Sequence, residues 1–125
     1  MMTLSYLFKH IFSELHLLSD EPIDNKVELA LAKKNLLDNT IYILIGLYNI
    51  YQDNLDNPEI HSADEDTICI TFKKDTQVLT IDISNDGSAF ASCYDNDKCY
   101  NELELTDEDV SEMYSMVDHF LGEDV

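Results

Sequence analysis

The chain has 125 residues, 45% of them apolar, and sets 26 Asp and Glu against 7 Lys and no Arg, for a formal net charge of −19. That length suits one domain with a real core, and the apolar share is too high for a disordered acidic tail. The charge argues against direct nucleic-acid binding, which needs Lys or Arg at the phosphates, and it suits a strongly basic partner.

In chain order, Leu4, Leu7, Phe8, Ile11, Phe12, Leu15 and Leu18 recur with helical spacing, which predicts an amphipathic helix over residues 3–19. Glu21-Pro22 ends it, because the residue before proline is pushed out of the helical region. A longer helix is expected from Asp24 or Asn25, either of which can cap it, through Val27, Leu31, Leu37, Ile41, Leu44 and Leu47 to about Tyr51. Its second half, Ile41–Tyr48, is apolar on nearly every side and reads as the central buried helix, with Tyr42, Tyr48 and Tyr51 in its core or at its rim. The β-branched content there also fits a strand, and a break near Asp38–Thr40 fits the same pattern.

Residues 53–66 are rich in turn formers and carboxylates without a period, and read as a linker. The period then drops to two. Ile68, Ile70 and Phe72 alternate with Thr67, Cys69 and Thr71, and Leu79, Ile81 and Ile83 alternate with Thr80 and Asp82. Lys73–Thr76, Asn85-Asp86-Gly87 and Asp95-Asn96-Asp97 supply turns, and further strands are expected at about 88–94 and 98–105. Thr106-Asp107-Glu108-Asp109 opens a final helix, with three acids at the positive end of its dipole; Val110, Met113, Tyr114, Val117, Phe120 and Leu121 form its buried stripe and Gly122 stops it. The expected fold is α+β, a two-layer sandwich of N-terminal helices, a four-stranded antiparallel meander and a C-terminal helix. Residues 1–125 are read as one domain, with a helical part over about 1–53, the linker at 53–66, and the sheet and last helix over 67–122.

The negative charge is uneven: residues 1–62 carry −5 and residues 63–125 carry −14. In strands, Asp82 lies opposite Ile81 and Ile83, and Glu102 and Glu104 lie opposite Leu103 and Leu105. One face of the meander is therefore apolar and the other carries carboxylates. A plain solvated sheet face needs such polarity too. The candidate partner-binding residues are Asp82, Asp86, Tyr94, Asp95, Asp97, Tyr100, Glu102, Glu104, Asp107, Glu108 and Glu112. The two tyrosines flank an acidic turn and combine area with a polar tip, as interface anchors do, although core packing accounts for them equally well.

No site for chemistry competes with this surface. Asp82–Gly87 imitates the start of a calcium-binding EF-hand loop, but Cys93 stands where a bidentate Glu is required and the context is a hairpin. His10, His16, His61 and His119 have no zinc-type spacing, and three glycines leave no phosphate-binding loop. No catalytic residue, metal or cofactor is expected. Cys69, Cys93 and Cys99 are an odd number and read as reduced cytosolic thiols, although Cys93 and Cys99 could face each other across a hairpin. The first residues lack the basic and apolar regions of a secretory signal, and residues 39–52 are too short to span a bilayer, so no membrane association is expected and the expected location is the cytoplasm.

The alternating Leu79–Ile83, the Asn85-Asp86-Gly87 turn and Glu102–Asp107 leading into a helix, within the stretch Thr67–Leu121, resemble bacterial toxin-immunity proteins. These include the partners of contact-dependent inhibition and other polymorphic toxins. The resemblance lies in architecture and composition and assigns no role to any single residue. It implies tight binding of a basic protein toxin, such as a nuclease effector domain, and blockage of its active site or a nearby surface. Phage-encoded nucleic-acid mimics, of anti-restriction or anti-CRISPR type, and secretion chaperones are also small and acidic. An elongated row of carboxylates would mark the mimic, and a large apolar groove the chaperone.

Overall fold

A computed structural model describes residues 1–14, 27–28, 31, 33–64, 66–105 and 110–122. Helix α1 (Leu4–Glu14) buries Leu7 and Ile11, one turn apart on the same face. The chain around it is tied to the segment after the second helix: Met2 N–H donates to the Gln52 carbonyl at 3.0 Å, and the Tyr6 hydroxyl to the Pro58 carbonyl at 2.8 Å. The expected continuation of α1 to residue 19, the break at Glu21-Pro22 and the start at Asp24 or Asn25 lie outside the described residues.

Helix α2 (Lys34–Tyr51) turns Leu36, Thr40, Ile43, Leu44, Leu47 and Tyr51 inward. Thr40 is fully buried at no cost in unpaired groups, because its hydroxyl donates to the Leu36 carbonyl at 2.7 Å. Two expectations need correction. Val27, Glu28 and Leu31 are helical, but α2 opens after Lys33, whose φ of −109° and ψ of 18° are not helical, and it runs unbroken through Asp38–Thr40, so no interruption falls there. Nor is α2 buried all round, since Tyr42 is 68% and Ile50 54% exposed.

No side chain of α2 caps its own start. Instead the Leu36 N–H donates to Asn85 Oδ1 at 2.9 Å, from a turn 49 residues further on. A distant asparagine thereby replaces the local cap that sequence reading looks for. Asn85→Ala should lower stability by about 1 kcal/mol, as loss of a helix cap does, measured by urea denaturation. An unchanged midpoint would show that the contact contributes nothing.

The sheet is antiparallel with strand order β1-β2-β3-β4-β5: Glu59–Asp64, Thr67–Lys74, Gln77–Ser84, Ala89–Asp95 and Lys98–Leu105. It has five strands where four were expected, because β1 runs through the stretch read as a linker. β1 sets a single large apolar residue, Ile60, against the core, paired with Ile70, and one residue makes no detectable period. Pro58 sits just before the strand, where its missing N–H costs no ladder bond.

The register stacks apolar rows on the inner face: Ile68, Ile83, Ala89 and Leu105 form one, and Ile70, Ile81, Ala91 and Leu103 the next. Of the apolar residues expected on the inner positions of the strands, all are buried except Leu103, which is half-buried at the sheet's edge strand; in the stripe expected on the last helix Tyr114 is half-buried too. Asn96 and Asp97 both take positive φ (50° and 67°), the twist that suits a two-residue hairpin. Helix α3 (Val110–Phe120) adds Met113, Met116, Val117 and Phe120 to the same core. Its expected first turn, Thr106–Asp109, lies outside the described residues, and Gly122 follows its end with a φ of 74° that favours glycine. Lys74 Nζ donates to the Leu121 carbonyl at 2.7 Å, a cation at the negative end of the helix.

Helices α2 and α3 pack closely where Gly46 lies: a Cβ there would come within 2.5 Å of Tyr114 Oη. Beside that contact the Tyr51 hydroxyl donates to Asp118 Oδ1 at 2.7 Å. All three described helices share one core with the inner face of the sheet, so they form one layer and the sheet the other.

Candidate protein-binding surface

Because Leu79, Ile81 and Ile83 point inward, Val78, Thr80, Asp82 and Ser84 point outward, and the register carries this face across the sheet. One outer row runs His61, Cys69, Asp82, Phe90 and Glu104 from edge to edge. The next runs Glu59, Thr71, Thr80, Ser92 and Glu102. A third places Tyr94 between Val78 and Cys99.

The two halves of this face differ in charge. On the β1–β2 side Lys73 Nζ lies 3.2 Å from Glu59 Oε1 and His61 Nε2 3.6 Å from Glu59 Oε2. The hydrogen bond and charge of Lys73 hold the Glu59 carboxyl below its ordinary range. On the β3–β5 side, no Lys or His stands within ion-pair distance of Asp82, Glu102 or Glu104 among the described residues. The uncompensated charge is thus gathered on the last three strands.

Strand β4 reverses the usual distribution of size. Its inner positions are Ala89, Ala91 and Cys93, while its outer positions are Phe90, Ser92 and Tyr94. Small residues face the helices, and the aromatics face away from the core. Phe90 is 39% exposed, with Asp82 on one side of its row and Glu104 on the other. Sequence reading passed over Phe90; the signal for it was available in the Ala-Phe-Ala-Ser-Cys-Tyr alternation.

Of the residues expected to bind, the structure brings together Asp82, Tyr94, Glu102 and Glu104. Asp86 sits in the β3–β4 turn, where its Oδ1 accepts from Ser88 Oγ at 2.6 Å and Ser88 N–H at 2.9 Å, which holds its carboxyl below the ordinary range. Asp95 and Asp97 lie at the opposite end of the sheet, and Asp95 Oδ1 accepts from Thr76 Oγ1 at 2.7 Å, joining two turns. Glu112 is exposed on α3, in the helical layer and away from this face. Asp107 and Glu108 lie outside the described residues.

Tyr100 does not share a face with Tyr94. The β4–β5 register slips between Cys93, opposite Asn101, and Tyr94, opposite Cys99, so Tyr100 is an extra, bulged residue. It turns to the helical side, with its ring 5.7 Å from that of His119 and its hydroxyl donating to Gln77 Oε1 at 3.0 Å. The same slip separates the thiols across the sheet: Cys93 is buried on the inner face and Cys99 exposed on the outer one, so they do not face each other as the hairpin suggested.

Burial raises the Cys93 thiol's pKa, and burial followed by a hydrogen bond with Asp82 raises that of Cys69. At Cys99, desolvation and then Glu102, whose carboxylate lies 3.4 Å away, act in the same direction. Raised values leave less thiolate, the reactive form, so access decides the order. Iodoacetamide at mildly alkaline pH should modify Cys99 first, Cys69 more slowly and Cys93 only on unfolding, as read by peptide mass mapping. Early modification of Cys93 would contradict this register.

No protein-family model, curated protein or solved structure matches the chain. Among the described residues no helix is long and apolar enough to cross a membrane.

Proposed function

We propose that this chain is an immunity protein that binds a cognate protein toxin, a nuclease with a basic active-site cleft, and neutralises it stoichiometrically in the cytoplasm without catalysis of its own. The observation that carries this reading is Phe90, exposed on a sheet face free of the described helices and set between Asp82 and Glu104, with Glu102 in the next outer row and Tyr94 in the row after that. Exposed ion pairs alone contribute only about 0–1 kcal/mol each, so a tight complex needs an apolar anchor that excludes water. Carboxylates around such an anchor attract a basic partner, and the anchor then slows its release.

The test measures the nuclease activity of a candidate toxin, drawn from the products of neighbouring genes, with this protein added at equimolar ratio, expecting loss of activity. Glu102→Lys combined with Glu104→Lys should slow association and flatten its dependence on salt, because steering charges act on the on-rate. Circular dichroism establishes that the variant is folded. Unaltered association at low salt would remove this face from the interface. Inhibition of several unrelated nucleic-acid enzymes, reversed by competing DNA or RNA, would instead identify a nucleic-acid mimic.

A further inference from the structure

The two edges of the sheet are finished differently. At β1 the end of helix α1 closes in: the Ser62 N–H donates to Glu14 Oε2 at 3.0 Å and the Ser62 hydroxyl to the Glu14 carbonyl at 3.2 Å. At β5, the last strand in the order, no strand pairs with the outer edge among the described residues, and α3 meets β5 only from the helical layer. The bulge at Tyr100 lies near the turn end, leaving Asn101–Leu105 in regular pairing with β4. Every second residue of that stretch presents its N–H and C=O outward, as an edge strand does.

From this edge we infer that β5 is a docking strand that accepts an extended basic segment of the partner as a sixth strand. Main-chain bonds would supply the pairing, and side chains at alternate positions the selectivity. Glu102 and Glu104 are both exposed on the outer face two residues apart, so the strand they select carries Lys or Arg at alternate positions. Directly opposed unlike charges stabilise such a pair and like charges oppose it. The same two residues disfavour a second copy of this chain, because a two-fold pairing centred on Leu103 sets Glu102 against Glu104. The inference rests on the basic-partner reading above and adds to it the geometry of the contact.

The probe is a capped eight-residue peptide alternating Lys and Val, added to the full-length protein. Two further versions carry N-methyl groups on the Lys amides or on the Val amides, and a fourth replaces Lys by Glu. The Lys–Val peptide should slow amide hydrogen exchange across residues 98–105. One N-methylated version should bind at least about tenfold more weakly and the other nearly normally, because only one set of amides faces β5. Equal binding by both N-methylated versions, or protection confined to outer-face residues such as Thr80, would overturn strand addition while leaving a basic partner in place. Absence of binding by any version would overturn it too, as would a dimer in sedimentation with β5 protected before peptide is added. Preference for the Glu version would instead overturn the basic-partner reading and spare the docking strand.

Discussion

Ile81→Ala is expected to destabilise the protein by about 2–5 kcal/mol, the range for truncating a fully buried aliphatic side chain. Ile81 is 0% exposed, stands on the central strand between Ile70 and Ala91, and meets the helical layer. The alanines on β4 leave it no large neighbour on that side to move into the space. Ile81→Val, which removes one methylene, should cost about 0.5–1.5 kcal/mol. Urea denaturation followed by far-ultraviolet dichroism measures both, with the slope held constant to show that the unfolded state is unchanged. A net charge of −19 repels itself in the compact state and works against stability. Added salt should therefore raise the midpoint of Ile81→Ala. A loss below about 1 kcal/mol, smaller than any ordinary isoleucine truncation, would mean that the helices do not close over this row.

What could be read from the residues was whatever repeats. Strands β2 and β3 alternate without interruption, so their inner and outer faces, and the exposure of Glu102 and Glu104 beyond them, followed from period two. β5 falls at Lys98–Leu105, where its turn and its glutamates placed it. What escaped had no period to show. β1 offers only Ile60 to the core, and its polar residues look like a loop until a neighbouring strand pairs with them. The start of α2 is capped by Asn85, 49 residues further along the chain, which no local pattern around Lys34 announces. The candidate surface was legible in its carboxylates and illegible in its aromatics. Tyr94 and Tyr100 look equivalent around one turn, but a single bulged residue sends Tyr100 to the helical side. Phe90 would ordinarily be counted toward the core, and it faces away from it because Ala89 and Ala91 occupy the inner positions.

That exchange of faces sets up the remaining prediction. Phe90→Ala should cost at least about 2 kcal/mol of affinity for the toxin, the threshold for an interface anchor, and mostly through faster dissociation. Its effect on folding should be small, since the ring is already 39% exposed and touches the sheet from outside the core. Tyr94→Ala should follow the same pattern from the outer row beyond that of Ser92 and Glu102. Tyr100→Ala should do the reverse. Tyr100 is 42% exposed but its ring lies against His119 of α3, with its hydroxyl on Gln77, so its loss should lower stability by about 0.5–1.5 kcal/mol for the aromatic contact, read as a lower melting temperature, and leave dissociation unaltered. Melting temperature and dissociation rate measured on all three variants separate the two groups. Faster dissociation from Tyr100→Ala, with Phe90→Ala indistinguishable from the parent, would move the interface off the open face of the sheet and onto the edge of the helical layer.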